Sequence, residues 1–280
     1  MYRAHRFRLD DQDRPRRYLL IEPAPQAEPQ RRPIVLFFHG SQQSANVARA
    51  FTGHTFDALA SRGALVVYLD GIHHHFNDAR RDLDETTRHQ RIDDVGFARR
   101  VVDQLIAEND GDPERVYACG FSNGGHLIFR MLLEAPGFLA GAAVFGATLP
   151  TEDNLVHELR GLRPAPTPLL LIHGRQDPIS PIDGGEVGFA GRRRGLVRSA
   201  LHTAEFFAAA NGLDAADHSA WTDGVVGVDE WATPGRPPVV LWSVAGMGHV
   251  VASPQEQDAR LGGQTDQFVA ADVAGDFFGL

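Results

Sequence analysis

Lysine is missing from this 280-residue chain, and all 27 basic residues are arginine. Schiff-base chemistry, a P-loop lysine and a serine–lysine dyad each need a primary amine and are thereby excluded. Cysteine occurs once, as Cys119, so no disulfide can close within the chain, in keeping with a reducing compartment. Its place at the end of an apolar run predicts an inert core thiol. No apolar run is long enough to span a bilayer, and the N-terminal stretch lacks the apolar centre of a leader peptide. A cytoplasmic protein with no membrane partner is expected. Excess positive charge is also lacking: the net charge is -9. The one basic run, Arg192-Arg193-Arg194, has no interleaved aromatics and reads as a solvated loop, which gives no nucleic-acid partner. No internal repeat or long low-complexity linker divides the chain, so a single domain over residues 1–280 is expected. The Pro-rich stretch 22–33 then joins two strands.

What is present is an alternation of apolar β-branched runs with amphipathic segments, the pattern of a mostly parallel, doubly wound α/β sheet with helices on both faces. Strands are predicted at Arg17–Glu22, Ile34–Phe38, Leu65–Leu69, Val116–Cys119, Ala142–Phe145, Leu169–Ile172 and Val239–Val244. Helices are predicted within 44–61, after a cap at Asp93 or Asp94, and within 123–135, 197–210 and 265–278. Segments 71–92, 175–195 and 212–236 have weak periodicity and read as long loops, where function concentrates.

Gly120-Phe121-Ser122-Asn123-Gly124 lies between a predicted strand and a predicted helix. In that context G-x-S-x-G is a nucleophile elbow, a sharp turn that lifts the serine hydroxyl above the sheet. Gly120 and Gly124 are expected to make the turn sterically possible, and Gly125 to let the helix pack close to the strand. A serine needs a base and an orienting acid to act at neutral pH, and in a doubly wound hydrolase these follow it in the order Ser, acid, His. Asp177 stands just beyond one late strand and His249 beyond the last, which makes Ser122, Asp177 and His249 the candidate catalytic set. Asp183, Asp223 and Asp229 compete for the acid role, and His173, His202 and His218 for the base. The backbone N–H groups of Ser41, in the His39-Gly40-Ser41 turn after an early strand, and of Asn123, at the helix start, are the candidate oxyanion donors.

These residues, with "VLFFHGSQQSA", "VVYLDGIHHHFNDAR", "LLLIHGRQDPISPIDGG" and "LWSVAGMGHV", resemble the polyhydroxybutyrate depolymerase-like esterases and, through them, the feruloyl and acetylxylan esterases of the α/β-hydrolase superfamily. The resemblance implies an α/β-hydrolase fold and cofactor-free hydrolysis of small carboxylic esters. It places nucleophile, acid and base at Ser122, Asp177 and His249. This chain has Ser41 where that family has cysteine, Phe76-Asn77-Asp78 where it tends to carry tryptophan, and Val250-Val251 after the base histidine. The last two departures are expected beside the substrate, and His39, Gly40, His75, Phe76 and Asn77 are the expected substrate-binding residues. The His73-His74-His75 run lacks the spacing of a metal site, and neither a metal nor a cofactor is expected. His126 is expected in a surface or packing role. A ligand-binding protein that keeps the fold, or a peptidase or thioesterase with the same residues, stands as the alternative.

Overall fold

The apolar runs of the sequence assemble side by side as the centre of one ten-stranded sheet. The computed structural model describes residues 2–11, 14–24, 30–189 and 191–280. Across the sheet the order is β1 (Arg3–Asp11), β2 (Arg14–Glu22), β4 (Leu65–Leu69), β3 (Arg32–Phe38), β5 (Gly111–Phe121), β6 (Gly141–Phe145), β7 (Leu169–Gly174), β12 (Val239–Val244), β11 (Val226–Trp231) and β10 (His218–Asp223). The strands from β4 to β12 in that order run parallel, and antiparallel pairs flank them on both sides. Strands β8 (Gly185–Phe189) and β9 (Arg192–Val197) form a separate hairpin. Part of the Pro-rich stretch, residues 25–29, lies outside the described residues.

Side chains alternate between two faces along each central strand. Ile34, Leu36 and Phe38 of β3 join one core with Leu65, Val67 and Leu69 of β4, whereas Val35, Phe37, Val66 and Tyr68 join the other. Helices α4 (Asp94–Glu108), α5 (Asn123–Glu134) and α6 (Ala200–Ala210) cover the first face. Helices α1 (Ala45–Phe51), α2 (Ala58–Ser61) and α7 (Ala270–Phe277) cover the second, and α3 (Thr86–His89) is a single turn in the loop after β4. The predicted mostly parallel sheet with helices on both faces is therefore what the chain builds.

The cap of α4 is Asp93, whose carboxylate accepts the Gly96 N–H at 2.7 Å. Asp94 is instead buried against Arg16 at 2.6 Å. The helix expected within 44–61 is broken where Gly53 and His54 adopt positive φ. Two segments read as loops contain hairpins, β8–β9 and β10–β11. Their strands escape notice because they lie outside the buried centre: every residue of β10 is exposed, so no apolar alternation is imposed on it.

The topology also locates a crevice. The chain leaves β3 toward β4 on one side and reaches β5 on the other, so the loops after β3 and β5 part at the carboxyl ends of two adjacent strands. Ligands of open α/β sheets bind at such a reversal.

Candidate active site

Ser122 occupies the first position after β5 with φ 52° and ψ -112°, a backbone conformation that non-glycine residues rarely hold. Its amide donates to the Phe145 carbonyl at 2.9 Å, and its own carbonyl accepts from His126 N at 3.0 Å, which pins the turn from both sides. A Cβ on Gly120 would come within 2.6 Å of the Gly124 carbonyl oxygen, and one on Gly124 would overlap the Phe38 carbonyl. A Cβ on Gly125 would press on Ala147 and on Val144 of β6 at 2.9 Å. All three glycines are thus required by close approach.

His249, in the loop after β12, sets Nε2 2.9 Å from the Ser122 hydroxyl and Nδ1 2.7 Å from Asp177 Oδ2. An ionised carboxylate only accepts, so Nδ1 carries the proton and Nε2 is free to accept from the serine. Asp177 is held by its other oxygen, which accepts the Ile179 and Ser180 amides, each at 2.8 Å. Burial works to raise its pKa, but the attraction and hydrogen bond of His249, together with His173 and the Ser180 amide, prevail and hold the carboxyl below its usual range. The loop carrying His249 is strapped by its amide, which donates to Leu261 O at 2.6 Å, and the imidazole leans on the Phe121 ring. Among the competing residues, His173 is buried and donates to Ser180 O at 2.7 Å. His218 pairs with Asp229 on the outer hairpin, and His202 lies exposed on α6. Asp183 and Asp223 make no hydrogen bond or ion pair with His249. The structure therefore brings together Ser122, His249 and Asp177, with the rival His173 beside the acid, its Nε2 3.5 Å from Asp177 Oδ2 but bonded to Ser180 O.

The amides of Ser41 and Asn123 donate to no described residue. The Asn123 side chain is fully engaged: Oδ1 accepts Phe76 N at 2.8 Å, and Nδ2 donates to Phe76 O and to Asp78 Oδ2. It fixes the start of α5 to the loop after β4. His39 braces the other turn from behind. Its Nε2 accepts Gly71 N at 2.9 Å, its Nδ1 donates to Gly40 O, and burial pushes its pKa down to about 3, so the ring stays neutral.

A cleft of about 460 Å³ opens over Ser122 and His249. None of the five expected substrate-binding residues lines it. His39 and Phe76 are buried, the Phe76 ring edge-to-face with Phe38 and tilted against the His39 ring, and Gly40 lies under Phe121. His75 turns to Glu85, and the Asn77 amide donates to Asp94. These residues brace the loops beside the cleft through the contacts just described. Val250 and Val251 likewise sit in the core. His126 is buried beneath the floor in a packing role, and burial drives its pKa well down. Among the described residues no group of three histidine, cysteine or acidic side chains is arranged to hold a metal, and no helix is long and apolar enough to cross a membrane.

The residues that do line the cleft include Gln42, Arg80, Ile179, Val187 and Arg194. The Arg192–Arg194 run is therefore no solvated loop along its whole length. It forms β9, and while Arg193 faces solvent, Arg194 turns inward and donates to the Ser41 hydroxyl and to Glu85. The sequence signal available was the position of this run in the loop that follows the acid.

The sequence pattern of the phospholipase/carboxylesterase family matches residues 24–188, a stretch that holds Ser41, Ser122 and Asp177. NocK of Nocardia uniformis subsp. tsuyamanensis, a protein named as an esterase, is 36% identical over 173 residues, covering 61% of this chain and 48% of that one. Feruloyl esterase B of Piromyces equi is 28% identical over 157 residues, 55% of this chain and 27% of that one. The chain spans less than half the length of these relatives. An acetyl xylan esterase from Aspergillus awamori superposes over 98% of this chain and 99% of its own with a TM-score of 0.66 at 13% identity, a likeness of fold. The shared architecture is the α/β-hydrolase fold.

Proposed function

The chain belongs to the phospholipase/carboxylesterase family, and from that membership we propose that it hydrolyses carboxylic esters of small molecules, as a single domain, through an acyl-enzyme formed on Ser122. The observation that carries this reading is the unbroken hydrogen-bonded series from the strained Ser122 through His249 to the anchored Asp177.

In the proposed reaction Ser122 Oγ attacks the ester carbonyl while His249 Nε2 takes its proton. The tetrahedral oxyanion lies against the unspent amides of Ser41 and Asn123, donors already in place before charge develops. The protonated imidazole is stabilised by Asp177 and gives its proton to the departing alkoxide, leaving the acyl group on Ser122. Water then enters, His249 removes its proton, and the second tetrahedral species collapses to release the acid and regenerate the serine hydroxyl. The cleft volume falls within the range of small-molecule sites. The resemblance to depolymerase-like and feruloyl esterases favours short hydroxyalkanoate-type or aryl esters.

A panel of 4-nitrophenyl esters from acetate to octanoate, with a ferulate ester, tests the reading with wild type beside Ser122→Ala. Turnover abolished by the substitution, with fluorophosphonate labelling confined to Ser122, is expected. Well-folded protein that neither turns over any ester nor labels at Ser122 would sink the hydrolase and leave a ligand-binding protein.

A further inference from the structure

Two arginines stand in the cleft with donors to spare. Arg80 lines it although its side chain is only 2% exposed. Its Nε and Nη2 are fastened to Asp78, whereas Nη1 donates to no described residue. Arg194, with a side chain 14% exposed, reaches in from β9, its Nη1 on the Ser41 hydroxyl and its Nη2 on Glu85 at 3.2 Å, and its Nε has no described partner. A guanidinium carries five N–H donors, and the unspent ones of Arg80 and Arg194 are open to the cleft and available to a ligand. Both arginines adjoin the reacting centre. The Asp78 that holds Arg80 also accepts from the Asn123 side chain, and Arg194 touches the residue that supplies the other proposed oxyanion donor.

Resting on the ester-hydrolase reading, we infer that the cleft selects esters bearing a free carboxylate, such as half-esters of dicarboxylic acids, with that carboxylate held between Arg80 and Arg194. Burial and the nearby charge of Arg80 both weigh against the charged form of Arg194, and an anion placed between the two guanidinium groups relieves that repulsion. The charge balance indicates a monoanion. Arg80, Arg192, Arg194 and Arg260 line the cleft, while the carboxylates paired with them are Asp78, Glu85 and Asp258. Glu85 serves both Arg192 and Arg194, so one positive charge is left over. A planar carboxylate matches guanidinium donors, whereas a phosphate dianion exceeds that single charge.

The test compares mono-4-nitrophenyl adipate with the uncharged 4-nitrophenyl hexanoate, and with the ester of a phosphonate-terminated acid of matching length. Wild type is expected to favour the adipate half-ester in kcat/KM by roughly tenfold or more, the scale of one charge-assisted hydrogen bond. Arg194→Gln should erase most of that ratio and Arg194→Lys restore part of it. Arg80→Gln leaves Asp78 buried without its partner and is at risk of not folding, so the Arg194 pair carries the result. Equal use of charged and uncharged esters by wild type, or a preference that Arg194→Gln leaves intact, overturns the inference while the hydrolase reading stands. A larger preference for the phosphonate overturns the choice of carboxylate. Should no ester turn over, the hydrolase reading fails, and calorimetry on Ser122→Ala then decides the anion site separately. Tighter binding of monomethyl adipate than of dimethyl adipate keeps the site, and equal or absent binding removes it.

Discussion

The floor of the cleft comes from turns at the ends of parallel strands, whereas much of its wall comes from the β8–β9 hairpin and from Asp258, Arg260 and Leu261 beyond β12, with Arg80 reaching in from the loop after β4. On the floor each proposed catalytic group is held from several sides: Ser122 by Phe145 and His126, Asp177 by two amides and His249, and His249 by Leu261 and Phe121. On the wall Arg193 faces solvent, and Arg192 is largely exposed beside the inward-turned Arg194. In the proposed hydrolase, chemistry that tolerates little misplacement would be borne by the packed sheet, and selection among substrates by loops that can vary without disturbing it.

Substitutions on the floor should dominate any measured difference between the two regions. Ser122→Ala is expected to lower kcat by on the order of a millionfold, and Asp177→Asn by about ten-thousandfold through loss of the correct imidazole tautomer. Steady-state kinetics on any accepted 4-nitrophenyl ester checks both, and an Asp177→Asn enzyme with near-normal kcat would show that another carboxylate orients His249. Gly124→Ala drives a methyl group into the Phe38 carbonyl and should cost about 1–3 kcal/mol in a urea titration. A neutral result there would mean that the elbow has more room than its packing implies.

Acid should separate floor from wall as well. His39, His126 and His173 are buried near the floor, and burial lowers the pKa of each below its ordinary value of 6.5. The unfolded chain therefore binds more protons than the folded one between 6.5 and the lowered values, so the contribution of these groups is complete above pH 6.5 and is lost as pH falls through that window. The loss should approach about 1.4 kcal/mol per histidine per pH unit, ahead of the further loss when Asp78 and Asp177, both held below their ordinary value, take up protons. Denaturation midpoints that stay flat from pH 7 to 5 would contradict it. The smallest effect belongs to the wall's outer face, where Arg193→Ala should change stability by less than about 0.5 kcal/mol. That variant should also behave as wild type in the half-ester assay that Arg194→Gln disturbs.

The buried strands and the Ser122, Asp177 and His249 series were legible because burial and turn geometry act locally: an apolar run marks a central strand, and glycines two residues either side of a serine mark an elbow. The cleft lining was not legible. His75, Phe76 and Asn77 are in the segment that forms part of the wall, yet their side chains turn to Glu85, Phe38 and the Ile92 carbonyl, while Arg80 a few residues on faces the opening. Loop residues have no fixed period to say which side they face. The edge hairpins were missed for the related reason that exposed strands carry no apolar rhythm.

The chain by itself determined its central strands and the elbow, since each follows from local sterics and the burial of apolar side chains, and the proposed succession of serine, acid and base followed from the chain order expected of a doubly wound hydrolase. Only the tertiary structure decided which arginines meet over the serine. Arg80 and Arg194 lie 114 residues apart and come together because the loop after β4 and the hairpin after β7 both converge on the carboxyl edge of one sheet. That convergence is set by long-range strand pairing, which no local pattern around either arginine records.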